Sequence, residues 1–324
     1  MGGSWASGFA VFSSVPVPLL PPPGLVLLLS GLASGLLLWA LIPMLRRGLL
    51  DQPNARSSHR EPTPRGGGVA FVLVSVAATG LALPLLALPL ALVGFLDDRH
   101  NLPAGLRYGV QLGTALGLIL LSPLPLPWLA LPLLLVAVTA VINFTNFMDG
   151  LDGLVAGCLA VALATAALTL PGTNLPLFAL VGALLGFIYW NWSPAKVFMG
   201  DVGSTYLGAV FAGVVLQSPS WPEALGLLLV ATPLLGDACL CVPRRLLAGQ
   251  PVFQAHRLHL FQRLHQAGWG HQHVASLYIA ATALLALALL LGGWPWVLGL
   301  ASSELLVGLW LDQRVAIPFA VAAR

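Results

Sequence analysis

Five aspartates stand in three short motifs: Asp97 and Asp98 in GFLDDRH, Asp149 and Asp152 in NFMDGLDG, and Asp201 in VFMGDVGS. The chain has 324 residues, of which 58% are hydrophobic and 8% charged. Acidic residues are costly in so apolar a chain, so their clustering is informative. Asn143, Asn146 and Asn191 lie in or beside the same motifs. Carboxylate and amide oxygens together form a hard donor set, which suits Mg²⁺, or Mn²⁺ in its place, and not zinc. Arg60, Arg65, Arg107, Lys196, Arg244, Arg245, Arg257 and Arg263 supply cations for phosphate oxygens. A hard divalent ion with arginines around it is the equipment of phosphoryl transfer. Taken singly, each aspartate reads equally well as a helix cap or a turn residue, as in the two Asp-Gly steps of DGLDG. Five on one face, with Asn and Arg between them, favour the site.

His256, His259 and His265 share the segment HRLHLFQRLH with Arg257 and Arg263. They read as ligand contacts, and the alternative, which their helical spacing allows, is a basic amphipathic face lying on anionic lipid. His59, His100, His271 and His273 receive no role. Neither does Glu304, which reads as the one carboxyl set inside a span. Cys158, Cys239 and Cys241 fall in apolar stretches without a CxxC pair and read as packing residues. No nucleic-acid partner is expected.

These motifs must be positioned by membrane helices. A span needs about 20 apolar residues, and the length accommodates roughly ten or eleven of them with no large soluble domain. Stretches such as LVLLLSGLASGLLLWALI are apolar on every side, which excludes the alternation of a β-barrel. The fold class is therefore all-α, a single polytopic bundle over 1–324. Apolar runs place spans near 24–44, 67–81, 83–96, 106–121, 128–144, 154–170, 175–190, 205–218, 222–240, 274–291 and 294–311. The second and third are short and could form one re-entrant pair.

All 14 Lys and Arg residues and all 7 histidines fall on one alternate set of connections or at its helix ends. By the positive-inside rule this set is cytoplasmic, with the N-terminus outside and the C-terminal tail inside. The catalytic loops then lie around 45–66, 97–106, 143–153, 191–204 and 241–273, on the cytoplasmic face of the inner membrane. Residues 1–23 lack the basic start and small-residue cleavage site of a signal peptide, and read as a Pro-rich external lead-in. Gly105, Gly109, Gly113 and Gly117 line one helix face. That stripe reads as internal packing, with a homodimer seam as the alternative.

The motifs in order, SSHREPTPRGGG, GFLDD, NFTNFMDGLDG, NWSPAKVFMGDVGS and a His/Arg loop, resemble those of the bacterial polyprenyl-phosphate N-acetylhexosamine-1-phosphate transferases of glycosyltransferase family 4. They span residues 57–263. The resemblance implies transfer of a sugar 1-phosphate from a UDP-sugar to undecaprenyl or another polyprenyl phosphate, giving the lipid-diphospho-sugar and UMP with Mg²⁺. It also implies the first membrane step of O-antigen, lipopolysaccharide or other envelope glycan synthesis. By motif position it makes Asp97 and Asp98 the catalytic pair beside Asp149, and Asp201 with Asn146 the metal ligands. Gly150, Asp152 and Phe198 would hold uracil, while Asn143, Asp149 and Asn191 would line the nucleotide and diphosphate. His256, Arg257 and His259 would face the diphosphate or sugar, and Arg257 or Arg263 would offset charge on departing UMP. The muramyl-pentapeptide branch carries contiguous histidines where this chain has HRLH, so a small UDP-N-acetylhexosamine is the expected donor. The pentapeptide transferase is the alternative, along with an unrelated Mg-dependent membrane prenyl- or phosphotransferase. The paired-aspartate spacing of membrane prenyltransferases is missing, as is the Arg that alcohol phosphotransferases carry after their Asp-Gly.

Overall fold

The computed structural model describes residues 21–53, 58–59, 61–79, 82–171, 175–251 and 256–323. Arg60 and most of the expected external lead-in lie outside the described residues. The elements are α1 (Pro23–Gly48), β1 (Leu50–Asp51), β2 (Thr63–Pro64), α2 (Gly68–Thr79), α3 (Ala82–His100), α4 (Ala104–Leu120), α5 (Leu131–Met148), α6 (Leu154–Thr169) and α7 (Leu175–Asn191). They continue with α8 (Asp201–Leu216), α9 (Trp221–Val230), α10 (Thr232–Leu247), α11 (Leu260–Gln266), α12 (His271–Gly292), α13 (Trp294–Arg314) and α14 (Phe319–Ala322). The two strands pair antiparallel, with Asp51 opposite Thr63. Each expected span falls on a helix or on the α9–α10 pair, and the protein is an all-α, multi-pass membrane protein.

Four helical stretches are by themselves long and apolar enough to cross a bilayer: α1, Trp128–Met148, α12 and α13. The bent α9–α10 pair makes a fifth, and α2, α6, α7 and α8 are shorter apolar helices. α8 is buried at every position from Val202 to Leu216, as expected for a central helix that is apolar all round. On the rim, α1 exposes Leu28, Leu32, Leu36 and Trp39.

Two features depart from the sequence reading. The span expected over 222–240 is broken, with α9 and α10 meeting at 83°. Pro233 has no N–H to continue the ladder and opens a new helix instead. The glycine stripe of α4 is not internally packed. A Cβ added at Gly105, Gly109 or Gly113 meets nothing within 4 Å, because α4 buries its other face, with Gln111, Thr114, Ala115 and Leu118. Close helix contact occurs elsewhere. In α1 and α7, a Cβ on Gly31 would stand 3.1 Å from the Gly182 carbonyl oxygen, and one on Gly186 would stand 3.0 Å from Gly35 N.

The same device seats α8. A Cβ on Gly68 of α2 would lie 2.5 Å from Gly203 Cα, and one on Gly94 of α3 would lie 2.5 Å from the Asp201 carbonyl carbon. The loop before α8 is fixed by main-chain bonds: Phe198 N donates to Pro64 O (2.8 Å), Gly67 N to Phe198 O (2.9 Å) and Gly68 N to Met199 O (2.9 Å).

Candidate active site

Asp97 and Asp98 stand one turn beyond Gly94, at the end of α3, so the close approach of α3 to α8 carries them to Asp201 at the start of α8. Asp97 accepts from Arg107 Nη1 (2.7 Å) and from Leu102 N (2.6 Å). Arg107 Nη1 also lies 4.0 Å from Asp201 Oδ2. Asp98 points the other way. Its Oδ1 is 3.7 Å from Arg65 Nε, and its main-chain carbonyl accepts from Arg65 Nη2.

Two clefts meet at Asp201. The first, about 340 Å³, lies between α3, α4, α5 and α8 and is lined by Asp97, Arg107, Gln111, Asn143, Asn146, Asp201, His256 and His259, with Leu90, Val93 and Phe147 on its apolar wall. The second, about 260 Å³, is lined by Arg65, Asp98, Asp149, Gly150, Asp152, Asn191, Phe198, Asp201, His59 and His271. Of the residues the family motifs nominate, all but Arg257 and Arg263 line one of the two, and Asp201 lines both, whereas the further cations Lys196, Arg244 and Arg245 and the imidazole of His265 line neither.

The electrostatics fit a hard cation. Burial, opposed first by the Arg65 guanidinium, raises the Asp98 carboxyl to about 6. Burial and then the Asp98 and Asp97 charges raise Asp201 to about 7, while a hydrogen bond from the Asn146 amide pulls it back. Burial followed by the Asp201, Asp98 and Asp152 charges lifts Asp149 to about 8. Carboxyls that repel one another this far are relieved by a divalent ion, and every donor in the set is oxygen.

Several nominated side chains are held in place by their neighbours. Asn143 and Gln111 form a reciprocal amide pair (2.8 and 3.3 Å). Asn191 is buried and ties two loops, accepting from Gly153 N and donating to Val197 O, both at 2.9 Å. Asp152 is buried, 3.1 Å from His271 Nδ1. His256 stacks on His259 with ring centroids 4.9 Å apart, and burial, His259 and Arg245 push its imidazole down to about 3. Arg257 lines neither cleft. Arg263 is buried and turned away, bonded to Leu258 O (3.0 Å), Ile317 O (2.9 Å) and the Asp312 carboxylate.

The sequence profile of glycosyl transferase family 4 matches residues 81–218. The chain is 30% identical to a probable undecaprenyl-phosphate N-acetylglucosaminyl 1-phosphate transferase of Bacillus subtilis (strain 168), over 69% of its own length and 72% of the relative's. It is 33% identical to a phospho-N-acetylmuramoyl-pentapeptide-transferase of Synechococcus sp. (strain JA-3-3Ab), over 83% and 90% of the two chains. The chain belongs to glycosyl transferase family 4. A third relative, the decaprenyl-phosphate N-acetylglucosaminephosphotransferase of Mycobacterium tuberculosis (strain ATCC 25618 / H37Rv), is 32% identical over 71% of this chain and 72% of its own. Members of glycosyl transferase family 4 transfer a sugar 1-phosphate to a polyprenyl phosphate, and the protein is an enzyme of that phosphotransferase class.

The structure adds residues that the sequence leaves without a role. Asp237 is a buried carboxyl inside α10, so Glu304 is not the one acid within a span. Asp237 accepts from Leu260 N (2.8 Å), Phe261 N (3.0 Å) and Tyr278 Oη (2.8 Å), and lies 3.5 Å from His259 Nδ1. It fixes the histidine loop to the bundle. His271 bridges loops through Asp152 and through Ser58 O (3.2 Å). His59 sets its ring edge against Phe198, with centroids 4.8 Å apart. The signal for His59 was its place in the SSHREPTPRGGG motif. Asp237 gave no sequence signal beyond its cost in an apolar helix.

Proposed function

We propose that the protein transfers N-acetylhexosamine 1-phosphate from a UDP-sugar to undecaprenyl or a related polyprenyl phosphate, giving polyprenyl-diphospho-sugar and UMP. One observation carries this reading: Asp201 is shared by two clefts, one open between apolar helices and the other lined by loops. In this reading the first receives the lipid phosphate and the second the nucleotide. Gly150, Asp152 and Phe198 hold uracil, while Asn143, Asp149 and Asn191 line the diphosphate side. Asp201 and Asn146, with Asp97, Asp98 and Asp149 near them, hold Mg²⁺, or Mn²⁺ in its place. When bound, the ion supplies positive charge against the diphosphate oxygens.

An oxygen of the lipid phosphate attacks the β-phosphorus, the bond from that phosphorus to the bridging oxygen breaks, and UMP leaves. A phosphate monoester has a second pKa near 6, so the nucleophile is already ionised at neutral pH. Asp97, whose two oxygens are engaged by Arg107 and Leu102 N, therefore orients and does not need to act as a strong base. Arg107 and Arg65 stand beside the acids and take the charge-offsetting role that the sequence reading gave to Arg257 or Arg263. His256 and His259 face the diphosphate or sugar.

The active face is cytoplasmic in the inner membrane, and the product begins an envelope glycan such as O-antigen. A second reading, muramyl-pentapeptide phosphate as the transferred group, is favoured by the 90% coverage of the Synechococcus relative. UMP release decides between them, measured on purified protein with undecaprenyl phosphate, Mg²⁺ and either UDP-GlcNAc or the pentapeptide donor. Faster release with the pentapeptide donor overturns the first reading, and no release with any UDP-sugar overturns both.

A further inference from the structure

We propose that Cys241, His256 and His259 form a binding site for one soft divalent cation of the Zn²⁺ type, separate from the carboxylate centre. The thiol sulfur and one nitrogen of each imidazole lie within 4.8 Å of one another. A tetrahedral zinc site spaces such atoms about 3.4 to 3.6 Å apart, so the three donors stand within roughly 1.5 Å of that spacing. The donor set is thiol and imidazole, the soft counterpart of the all-oxygen set around Asp201. Cys241 and His259 are buried.

His259 is already oriented for a metal. Its Nδ1 stands 3.5 Å from Asp237 Oδ1, and Asp237 is itself fixed by Leu260 N, Phe261 N and Tyr278 Oη. With its near nitrogen protonated toward that carboxylate, the imidazole would leave the far lone pair for a cation. Both ring nitrogens of His259, Nδ1 and Nε2, are buried without a hydrogen-bond partner, a costly state that ligation at one of them would relieve. His256 Nδ1 holds a hydrogen bond from Leu258 N at 3.2 Å, which a metal bond would displace. The Arg245 charge beside His256 opposes a cation, and the thiolate formed when Cys241 gives up its proton offsets it.

His256 and His259 also line the cleft assigned to the lipid phosphate. Resting on that assignment, an occupied soft site withdraws both imidazoles from the substrates and stops turnover.

The test dialyses purified protein against Zn²⁺ with saturating Mg²⁺ present and counts bound zinc by elemental analysis. Wild type should hold one equivalent, and so should Cys239→Ala, altered two residues away at an exposed position. Cys241→Ala should lose that equivalent while still releasing UMP. Zinc retained by Cys241→Ala, or none bound by wild type, would overturn the site. Should Cys241→Ala fail to fold, Cys158→Ala/Cys239→Ala keeps Cys241 as its one thiol. A cadmium–thiolate absorption band saturating at one equivalent then supports the site, and no band overturns it. Zinc that fills wild type without slowing UMP release overturns the blocking role. The binding arm decides the ion site even if no UDP-sugar proves to be a substrate.

Discussion

Gly94 leaves room for the backbone of Asp201 and for nothing more: a Cβ there would stand 2.5 Å from the Asp201 carbonyl carbon. Since Asp97 and Asp98 follow within the next turn, this contact sets the spacing of the acidic cluster. Gly94→Ala forces α3 and α8 apart, with an overpacking cost of about 1 to 3 kcal/mol. A displacement near 1 Å at the acids should lower turnover by roughly a hundredfold. Gly105→Ala and Gly109→Ala on the open face of α4 should leave turnover unchanged. UMP release and thermal melting of the three variants check this, and wild-type turnover in Gly94→Ala would refute it.

The raised carboxyls predict how cation affinity responds to pH. Asp98, Asp201 and Asp149 hold protons up to about 6, 7 and 8, and a cation must displace them. Affinity for Mg²⁺ therefore rises from pH 6 to pH 8, with proton release on binding. Calorimetry in buffers of different ionisation enthalpy measures that release. Asp201→Asn should bind Mg²⁺ weakly, follow pH less steeply and give no turnover while inserting normally in the membrane. An affinity that does not change between pH 6 and 8 would be incompatible with this account.

The helices and the acidic motifs were legible in the sequence, because long apolar runs and rare charges are one-dimensional signals. Which of its glycine pairs are covered by another helix was not. Gly105, Gly109 and Gly113 of α4 repeat every four residues and face open space, whereas Gly31 and Gly35 of α1 and Gly182 and Gly186 of α7, at the same spacing, bring their helices together. A period shows that a face is smooth and says nothing of what covers it. The break at Pro233 was hidden because α9 and α10 are apolar on both sides of it. Arg263 was misplaced for a related reason: its partner Asp312 lies 49 residues further on, at the end of α13.

The contrasting surroundings of two arginines make separable predictions. Arg263 is buried against Asp312 and two main-chain carbonyls, so Arg263→Ala should lower stability by about 3 to 5 kcal/mol. The donor KM of the surviving folded fraction should be unchanged. Arg107 lies in the first cleft with its side chain 41% exposed. Arg107→Ala should leave the melting temperature nearly unchanged and reduce kcat by about a hundredfold. The reverse pattern would return the charge-offsetting role to Arg263.

Asp237 satisfies three donors at the histidine loop. Asp237→Ala strands them in a buried setting at about 1 to 3 kcal/mol each. That variant should melt well below wild type and free the loop for proteolysis. Tyr278→Phe removes one donor and leaves the two main-chain bonds, so it should cost only about 1 kcal/mol. Equal losses in the two variants would show that Asp237 does not anchor the loop.

Sidedness tests the placement of the whole site. The connections that carry Asp97, Asp201 and His256 hold Lys or Arg at or beside them, the connection that carries Asp149 belongs to the same alternate set, and the connection around 122–127 on the other set holds none, which predicts that the first set faces the cytoplasm. His100 and Pro123 are exposed at opposite ends of this arrangement. In a variant whose three native cysteines are replaced by Ala, a membrane-impermeant thiol reagent on intact cells should label Pro123→Cys and spare His100→Cys. Both should label after lysis. Labelling of His100→Cys from outside would invert the protein and put the nucleotide cleft on the face where UDP-sugars are not supplied, so it would sink the topology and the donor assignment together.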